Sequence, residues 1–221
     1  MATKQWVDRD IQQDVLDEFA WDPEVDIPEV GVEVDDGVVT LTGTVDQYRT
    51  KLAAQRAAQR VSGVRAVAND LTVRGPLTHN DTDIAQDAAR AIEANLSIPR
   101  GAVDIVVQNG KVTLTGQAPW AYQRVAAEES VRYLRGVRDV VNLIAVKSPQ
   151  VSDAEVRAGI ERALVRAAEL DADRIRVRAQ GGQVTLSGTT RTWTEKQEAG
   201  RAAWRARGVD DVVNEIEIRP Y

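Results

Sequence analysis

One five-residue pattern occurs three times in this chain at a nearly constant interval. VTLTG ends at Gly43 and at Gly116, and the variant VTLSG ends at Gly188, so the glycines lie 73 and 72 residues apart. A Gly-Val pair follows 20 residues after each glycine, and an asparagine comes six residues after that pair begins, at Asn69, Asn142 and Asn214. Solenoid units span only ~20–50 residues, whereas this interval matches a small domain. The chain is therefore predicted to contain three copies of one domain.

Each copy opens with apolar residues at four-residue spacing, which predicts an amphipathic helix. The stripe residues are Ile11, Val15 and Phe19; Ile84, Ala88 and Ile92; Val156, Ile160 and Leu164. Ser152 and Glu155 have the spacing of a capping box at the start of the third of these helices. Asn80 or Thr82 is the expected cap of the second, and Asp8 that of the first.

Apolar residues then alternate with mostly polar ones in each copy, and this period of two residues predicts a half-buried strand. The alternating residues are Val30, Val32 and Val34; Val103, Ile105 and Val107; Ile175, Val177 and Ala179. Turn pairs come next, at Asp36-Gly37, Asn109-Gly110 and Gly181-Gly182, and they tolerate the positive φ of a tight hairpin. The second strand is predicted over 38–43 and its equivalents. A second helix with a face of small residues is predicted over about 46–61, 119–134 and 191–206, and a last strand starts at Val64, Val137 or Val209.

This order of elements predicts an α+β fold of three tandem α-β-β-α-β domains. Each is expected to form two layers, a three-stranded mixed sheet with two helices on one face. The second helix would connect strands two and three in parallel beside the antiparallel hairpin. The predicted domains span 8–73, 81–147 and 152–219, with linkers at 74–80 and 148–151.

The repeated residues resemble the BON domain family, named for bacterial osmotically induced and nodulation-associated proteins. The resemblance rests on the alternating strand, on the xGxVTLTG hairpin and on the closing GVxxVxN pattern, and it covers nearly the whole chain. It implies a binding module. The roles it suggests include osmotic stress, envelope integrity, phospholipid attachment, chaperone-like behaviour and, in one cytoplasmic type, potassium sensing.

Composition narrows the classes of partner. The net charge of −6 comes from residues 1–74, which contain 14 Asp and Glu but 8 Lys and Arg. The other two copies are neutral. Phosphate contacts need clustered excess Lys and Arg, so nucleic acid is not an expected partner. The chain has no cysteine, and its first residues contain no apolar run typical of a secretory signal. A cytoplasmic protein is therefore expected.

Catalytic arrangements are scarce, so the chain is predicted to be no enzyme and to need no cofactor. The one histidine, His79, lies in the first linker, where a solvated turn residue is the expected interpretation. An acidic stretch in the first copy comprises Asp22, Glu24, Asp26, Glu29, Glu33, Asp35 and Asp36. It is interpreted as a solvated edge. A cation site is the alternative, because hard cations prefer oxygen ligands. A potassium site made of backbone carbonyls would leave no sequence signature.

Aromatic residues follow the VTLTG or VTLSG glycine by four to six residues in every copy. These residues are the predicted partner or ligand surface: Tyr48, Trp120, Tyr122 and Trp193. Trp and Tyr suit a protein or membrane interface because an apolar ring carries a polar tip. Packing against the domain core or the next repeat is the alternative. Trp21 and Trp204, which have no aromatic counterparts, are expected at contacts between repeats.

The leading functional hypothesis is a stress-associated binding or scaffold protein that holds protein partners or clients on three linked modules. The alternatives are a potassium-binding sensor and a peripheral phospholipid-binding protein. Association of identical chains is a further expectation. The relative arrangement of the three repeats is left open by the sequence.

Overall fold

All three repeats have the same order of elements in the computed structural model, which describes residues 7–25, 30–74, 79–148, 151–167 and 171–219. Repeat 1 contains α1 (Asp8–Trp21), β1 (Val30–Asp35), β2 (Val38–Val45), α2 (Tyr48–Arg60) and β3 (Ala66–Val73). Repeat 2 contains α3 (Asp81–Ala94), β4 (Val103–Gln108), β5 (Lys111–Ala118), α4 (Ala121–Val131), β6 (Asp139–Asn142) and β7 (Ala145–Val146). Repeat 3 contains α5 (Asp153–Arg166), β8 (Ile175–Gln180), β9 (Gln183–Thr190), α6 (Trp193–Trp204) and β10 (Asp211–Ile218).

Every repeat forms its own mixed sheet. The order is β1-β2-β3 in repeat 1 and β8-β9-β10 in repeat 3, with an antiparallel hairpin followed by a parallel pair. In repeat 2 the third strand is divided into β6 and β7, which both pair with β5 in parallel. The predicted α+β fold and its strand directions are confirmed.

A separate apolar core lies between the helices and the sheet of each repeat. The inward leucines of the three hairpins, Leu41, Leu114 and Leu186, are fully buried. Alanines on the second helices, such as Ala54, are also fully buried and allow close packing on the sheet. None of the helices in the described part of the chain is long and apolar enough to cross a membrane.

The second strand extends further than predicted. β2 runs two residues past Gly43, and its last residue, Val45, pairs with Val73 of β3. The glycine remains inside the strand because of a close backbone approach: a Cβ on the equivalent Gly116 would lie 2.1 Å from the Ala102 carbonyl oxygen. The third strands begin later than predicted, because Val64 and its equivalents are buried in the turn before the strand.

The helix caps are confirmed at two of the three first helices. Asn80 and Ser152 each form a capping box, with Asp83 and Glu155 respectively. The prediction for Asp8 is wrong, because Val7 occupies the N-cap position. The Asp8 carboxylate instead accepts the amides of the Asp36-Gly37 turn at 3.0 and 2.9 Å. Asp81 and Asp153 bind their own hairpin turns in the same way, so this aspartate ties the first helix to the hairpin.

Candidate functional site

Each repeat contacts the other two, largely through the second helices. Between repeats 1 and 3, α2 packs against α6, and the Gln197 side-chain amide donates to the side-chain oxygen of Gln59 (Oε1) at 3.2 Å. Gln59 is buried although it is polar, which is consistent with a contact between packed helices.

Repeats 2 and 3 are joined by hydrogen bonds and by a stacked pair. The Ser148 amide donates to the Asp210 carboxylate at 2.7 Å, and the Ser148 hydroxyl donates to the Val209 carbonyl at 3.0 Å. The Arg124 guanidinium lies over the Trp204 ring, 5.5 Å from its centroid. Trp204 therefore marks a contact between repeats, as predicted.

Repeats 1 and 2 meet at Tyr48, which packs against the cores of both repeats. Burial raises the pKa of the Tyr48 hydroxyl above its ordinary value, and the nearby carboxylates Asp139 and Glu128 raise it further. A hydrogen bond with the Val140 backbone and the charge of Arg132 act in the opposite direction. Since all four of these neighbours belong to repeat 2, the tyrosine is part of an interface within the chain.

The four aromatic residues predicted as one kind of surface have different surroundings. Trp193 is half-buried at the start of α6, and its Nε1 is buried without a hydrogen-bond partner among the described residues. The Lys196 ammonium lies 5.9 Å from the Trp193 ring centroid. Trp120 and Tyr122 lie together at the start of α4, where Trp120 is half-buried and Tyr122 is 58% exposed. The structure thus brings two of the four into one site.

That site is a groove of about 570 Å³ between α4 of repeat 2 and α6 of repeat 3. Trp120, Tyr122 and Val125 line it from repeat 2, and Trp204 lines it from repeat 3. Val125 is 53% exposed and adds an aliphatic side chain to the surface that Trp120 and Tyr122 line. We call this cavity the α4/α6 groove.

Charged side chains of both signs surround the α4/α6 groove. Arg201 and Arg205 line it and also pair with Glu198, at 2.8 and 3.7 Å. Glu129, on the opposite wall, pairs with Arg132 at 3.2 Å. The groove therefore has apolar and aromatic walls with a mixed-charge rim.

Two groove residues were not identified as site residues from the sequence. The sequence marked Trp204 as distinctive, because it is a tryptophan without a counterpart in the other repeats. That it lines the same groove as Trp120 depends on how the repeats pack. Val125 carried none, since an isolated valine on a helix is ordinarily interpreted as core. The expectation for Trp21 is wrong: its side chain is 83% exposed at the end of α1.

Three members of the acidic stretch of repeat 1, Asp22, Glu24 and Asp36, form ion pairs. Arg60 of α2 binds both Glu18 and Asp22, at 2.7 and 2.6 Å, and the hydrogen bond from Arg60 lowers the pKa of Asp22. Glu24 pairs with another arginine of α2 at 3.3 Å, and Asp36 pairs with one beyond the helix at 2.7 Å. Asp26 and Glu29 lie outside the described residues. Within the described ranges, no three His, Asp or Glu side chains are grouped so as to hold a metal ion.

Comparison with protein-family profiles identifies the family to which this architecture belongs. The BON domain profile matches residues 7–75, 80–148 and 152–220, almost the entire chain. The chain belongs to the BON domain family. The three matched segments each contain one α-β-β-α-β unit, so the α4/α6 groove is formed by two neighbouring BON domains.

Two curated relatives are similar over part of the chain. An uncharacterised protein from the gshII 5' region of Anaplasma centrale is 26% identical over 143 residues, which cover 60% of this chain and 95% of that protein. The osmotically inducible protein Y of Escherichia coli strain K12 is 29% identical over 125 residues, 54% of this chain and 62% of that protein. Among solved structures, the type III secretion protein CdsD of Chlamydia trachomatis is 15% identical over 96% of this chain and 93% of that one, with a TM-score of 0.28. That score supports no structural conclusion.

Proposed function

We propose that this chain is a non-enzymatic binding and scaffold protein of the osmotic or general stress response, and that it holds a protein partner or client in the α4/α6 groove. One observation carries the proposal: Tyr122 and Val125 are exposed beside Trp120 and Trp204 in a single groove between two domains. Aromatic anchors in a concave site at a domain boundary are typical of binding sites.

The composition of the groove favours a polypeptide over the other partner classes. Protein interfaces are enriched in Trp, Tyr and Arg at their centre and have a polar rim. The groove provides Trp120, Tyr122 and Trp204 on its walls, with arginines and glutamates beside them. A nucleic acid or an anionic membrane would be favoured by a surplus of cations. Here the lining holds three arginines, Arg124, Arg201 and Arg205, against two glutamates, Glu128 and Glu129, so the excess of cations is small.

The link to stress rests on similarity. A relative covering 54% of this chain is an osmotically inducible protein, and we transfer the physiological setting, but no specific partner, to this chain. Similarity within a fold family leaves the ligand open, since function resides in individual sites.

The chemistry of the chain supports a role without catalysis. With no cysteine and one histidine, the sequence cannot form the usual thiol–imidazole pair. Shifted pKa values often mark catalytic groups. Here the lowered pKa of Glu155 comes from its capping hydrogen bonds with Ser152, and the raised pKa of Tyr48 comes from burial between repeats. Both shifts have structural causes.

The proposal is tested with an unfolded model client. A fluorescently labelled, reduced and carboxymethylated protein is titrated with the full chain, and binding is followed by fluorescence anisotropy. Tyr122→Ser and Val125→Ser are each expected to raise the Kd by about five- to tenfold, because they remove exposed apolar anchors from the groove. Tyr133→Ser is the matched control, since Tyr133 is 48% exposed in the same repeat but does not line the groove.

Four results would contradict the proposal. One is equal binding by the groove variants and the control, and another is no binding by the unmodified chain. A third is a tryptophan-fluorescence response to KCl that NaCl does not reproduce, together with loss of client binding, which would favour a potassium sensor. Pelleting with anionic liposomes at low salt that Tyr122→Ser abolishes would assign the same groove to lipid instead.

A further inference from the structure

The first and the last strand are the two edges of each sheet, and the hairpin turn determines which backbone groups of the first strand point outward. In repeat 2 the turn residues Asn109 and Gly110 have φ of 51° and 76°, the signature of a type I′ hairpin. Gln108 and Lys111 therefore form the hydrogen-bonded closing pair. Because such pairs alternate along the strand, the amides and carbonyls of Val103, Ile105 and Val107 face away from β5.

The corresponding edge of repeat 1 has two features that hinder pairing with another strand, and we call such features guards. The Gln12 side-chain amide, on α1, donates to the outward Val32 carbonyl at 2.6 Å. Glu33 and Asp35, which alternate with the inward residues of β1, are exposed charges. A blocked carbonyl and charged side chains are both means by which edge strands avoid pairing with other chains.

The edge of repeat 3 carries charges as well. Arg176 and Arg178 occupy the outward positions of β8 and are exposed. Arg178 is equivalent to Glu33 of repeat 1, ten residues before the repeat glycine in each case. Two of the three homologous edges thus have a charged residue at this position.

At the positions of Gln12 and Glu33, the edge of repeat 2 has neither guard. Ala85 occupies the position of Gln12, and Val106 occupies the position of Glu33 and Arg178. Val106 is 61% exposed on the outer face of β4, and Asp104 is the strand's only charged residue. Among the described residues, no side chain hydrogen-bonds to the outward amides and carbonyls of Val103, Ile105 and Val107.

A cavity with apolar and charged walls lies directly beside this edge. It has a volume of about 540 Å³ and is lined by Ala89, Ile92 and Glu93 of α3, by Ile98 and Arg100 of the following loop and by Val103 and Ile105 of β4. Val103 and Ile105 are half-buried, whereas Val32 and Val177, the counterparts of Ile105, are buried. The inward face of β4 is therefore partly open, next to the unpaired backbone groups.

We propose that β4 binds an extended, apolar peptide segment of another protein by strand addition. The backbone of the segment would pair with Val103, Ile105 and Val107, and its alternate side chains would enter the cavity between β4 and α3. Open backbone groups provide affinity in this mode and the adjacent pockets provide specificity. This site is separate from the α4/α6 groove, and the proposal does not depend on that groove's function.

A free segment fits this edge better than a second copy of the chain does. In a second copy, the inward side chains of β4 are already packed against its own α3 and core. They are not free to enter a neighbour's cavity. An extended segment without a fold brings alternate side chains that nothing covers, and their burial is favourable.

The test uses a labelled synthetic peptide of alternating valine and threonine with lysines at both ends, titrated with the full chain and followed by fluorescence anisotropy. Val106→Glu and Ala85→Gln give repeat 2 the guards of repeat 1. We expect each to raise the Kd for the peptide by about tenfold, because an edge charge or a blocked carbonyl disfavours pairing. Folding is monitored by circular dichroism and thermal unfolding, and repeat 1 itself accommodates both side chains at these positions.

The reverse exchange provides a gain of function. Gln12→Ala combined with Glu33→Val removes the guards of β1, and the number of peptides bound per chain should rise from one towards two. Amide hydrogen exchange adds a readout of the binding mode. Peptide should slow exchange at Ile105 and Val107, which face the edge, while Val106, already paired with Thr113, serves as the internal control.

Several outcomes would overturn the proposal. Unchanged peptide affinity in Val106→Glu would do so, as would absence of binding or peptide protection confined to other amides. A dimer of the unmodified chain that Val106→Glu converts to a monomer, without peptide binding, would assign the edge to a second copy. Tyr122→Ser should leave peptide affinity unchanged, so failure of this proposal is distinguishable from failure of the α4/α6 groove.

Discussion

At the scale of single residues, the repeated glycine illustrates a position where any side chain is excluded. Gly116 has a φ of 125°, a region that residues with a Cβ avoid. A Cβ there would lie 2.1 Å from the Ala102 carbonyl oxygen, and one on Gly188 would lie 2.0 Å from the Arg174 carbonyl oxygen. The glycine thus permits the residue that precedes the first strand to lie close to the second strand.

Gly116→Ala is expected to lower the free energy of unfolding by about 3 kcal/mol or more, because it combines backbone strain with a backbone clash. Gly101→Ala is the matched control, since Gly101 has a φ of 71° and nothing lies within 4 Å of its Cβ position. Its cost should be about 1–2 kcal/mol, from the left-handed conformation alone. Urea unfolding measures both, and equal costs would show that the close approach has no energetic weight.

At the scale of elements, the repeated asparagine is a connection between the third strand and the second helix. The Asn69, Asn142 and Asn214 amides donate to the carbonyls of Lys51, Arg124 and Lys196, at 3.0, 2.8 and 2.9 Å. Each side-chain oxygen also accepts an amide two residues further along the strand. Repeat 3 differs because Gly200 replaces the Gln55 or Glu128 that provides a second acceptor in the other repeats.

Asn69→Ala and Asn214→Ala should each destabilise the protein by about 1–3 kcal/mol, since helix and strand groups lose partners in a half-buried site. The loss should be larger for Asn69, which has the additional contact with Gln55 at 3.2 Å. Gln55→Ala combined with Asn69→Ala tests this in a double-mutant cycle by urea denaturation. A coupling energy of zero between Gln55 and Asn69 would contradict a stabilising role for their hydrogen bond.

At the scale of the whole molecule, equivalent positions form the contacts between repeats. Gln59, Arg132 and Trp204 all lie 16 residues after the repeat glycine, and each faces the start of a second helix in another repeat. Gln59 contacts repeat 3, Trp204 contacts repeat 2, and Arg132 lies near Tyr48 of repeat 1. One kind of head-to-tail contact, used three times, closes a cycle within one chain.

Ionisation of Tyr48 should weaken this assembly at high pH. Burial raises the pKa of Tyr48 in the folded chain above the value of about 10 in the unfolded chain. The neutral hydroxyl therefore contributes stability that is fully present below about pH 10 and is lost as the pH rises through the folded pKa. Tyr48→Phe, which cannot ionise, should show a smaller fall in the free energy of unfolding between about pH 9 and about pH 11.

Urea denaturation across that pH range measures the effect. Tyr133→Phe is the control, because Tyr133 is exposed and stacks with the neighbouring Arg132. If the two variants lost stability in parallel, Tyr48 would not couple the interface to pH.

The domain-level features followed from periodicity, and the exceptions have physical reasons. The stripe of Ile11, Val15 and Phe19 is buried as its spacing predicted, because a helix with one apolar face must cover a core. Asp8 was misassigned because an aspartate before a helix is ordinarily a cap. Its actual partners, the amides of Asp36 and Gly37, are 28 and 29 residues away. The strand end at Val45 was missed because its partner Val73 is on a different strand.

The sequence alone therefore determined the three copies, the order of elements in each and the inward and outward sides of the first two strands, because those depend on patterns within one repeat. The tertiary structure decided which differences between the copies matter. It placed the half-buried Tyr48 between repeats 1 and 2, joined Trp120 and Tyr122 to Trp204 in one groove, and left the first strand of repeat 2 beside an open cavity. These outcomes depend on contacts between residues far apart in the chain, and no local period encodes such contacts.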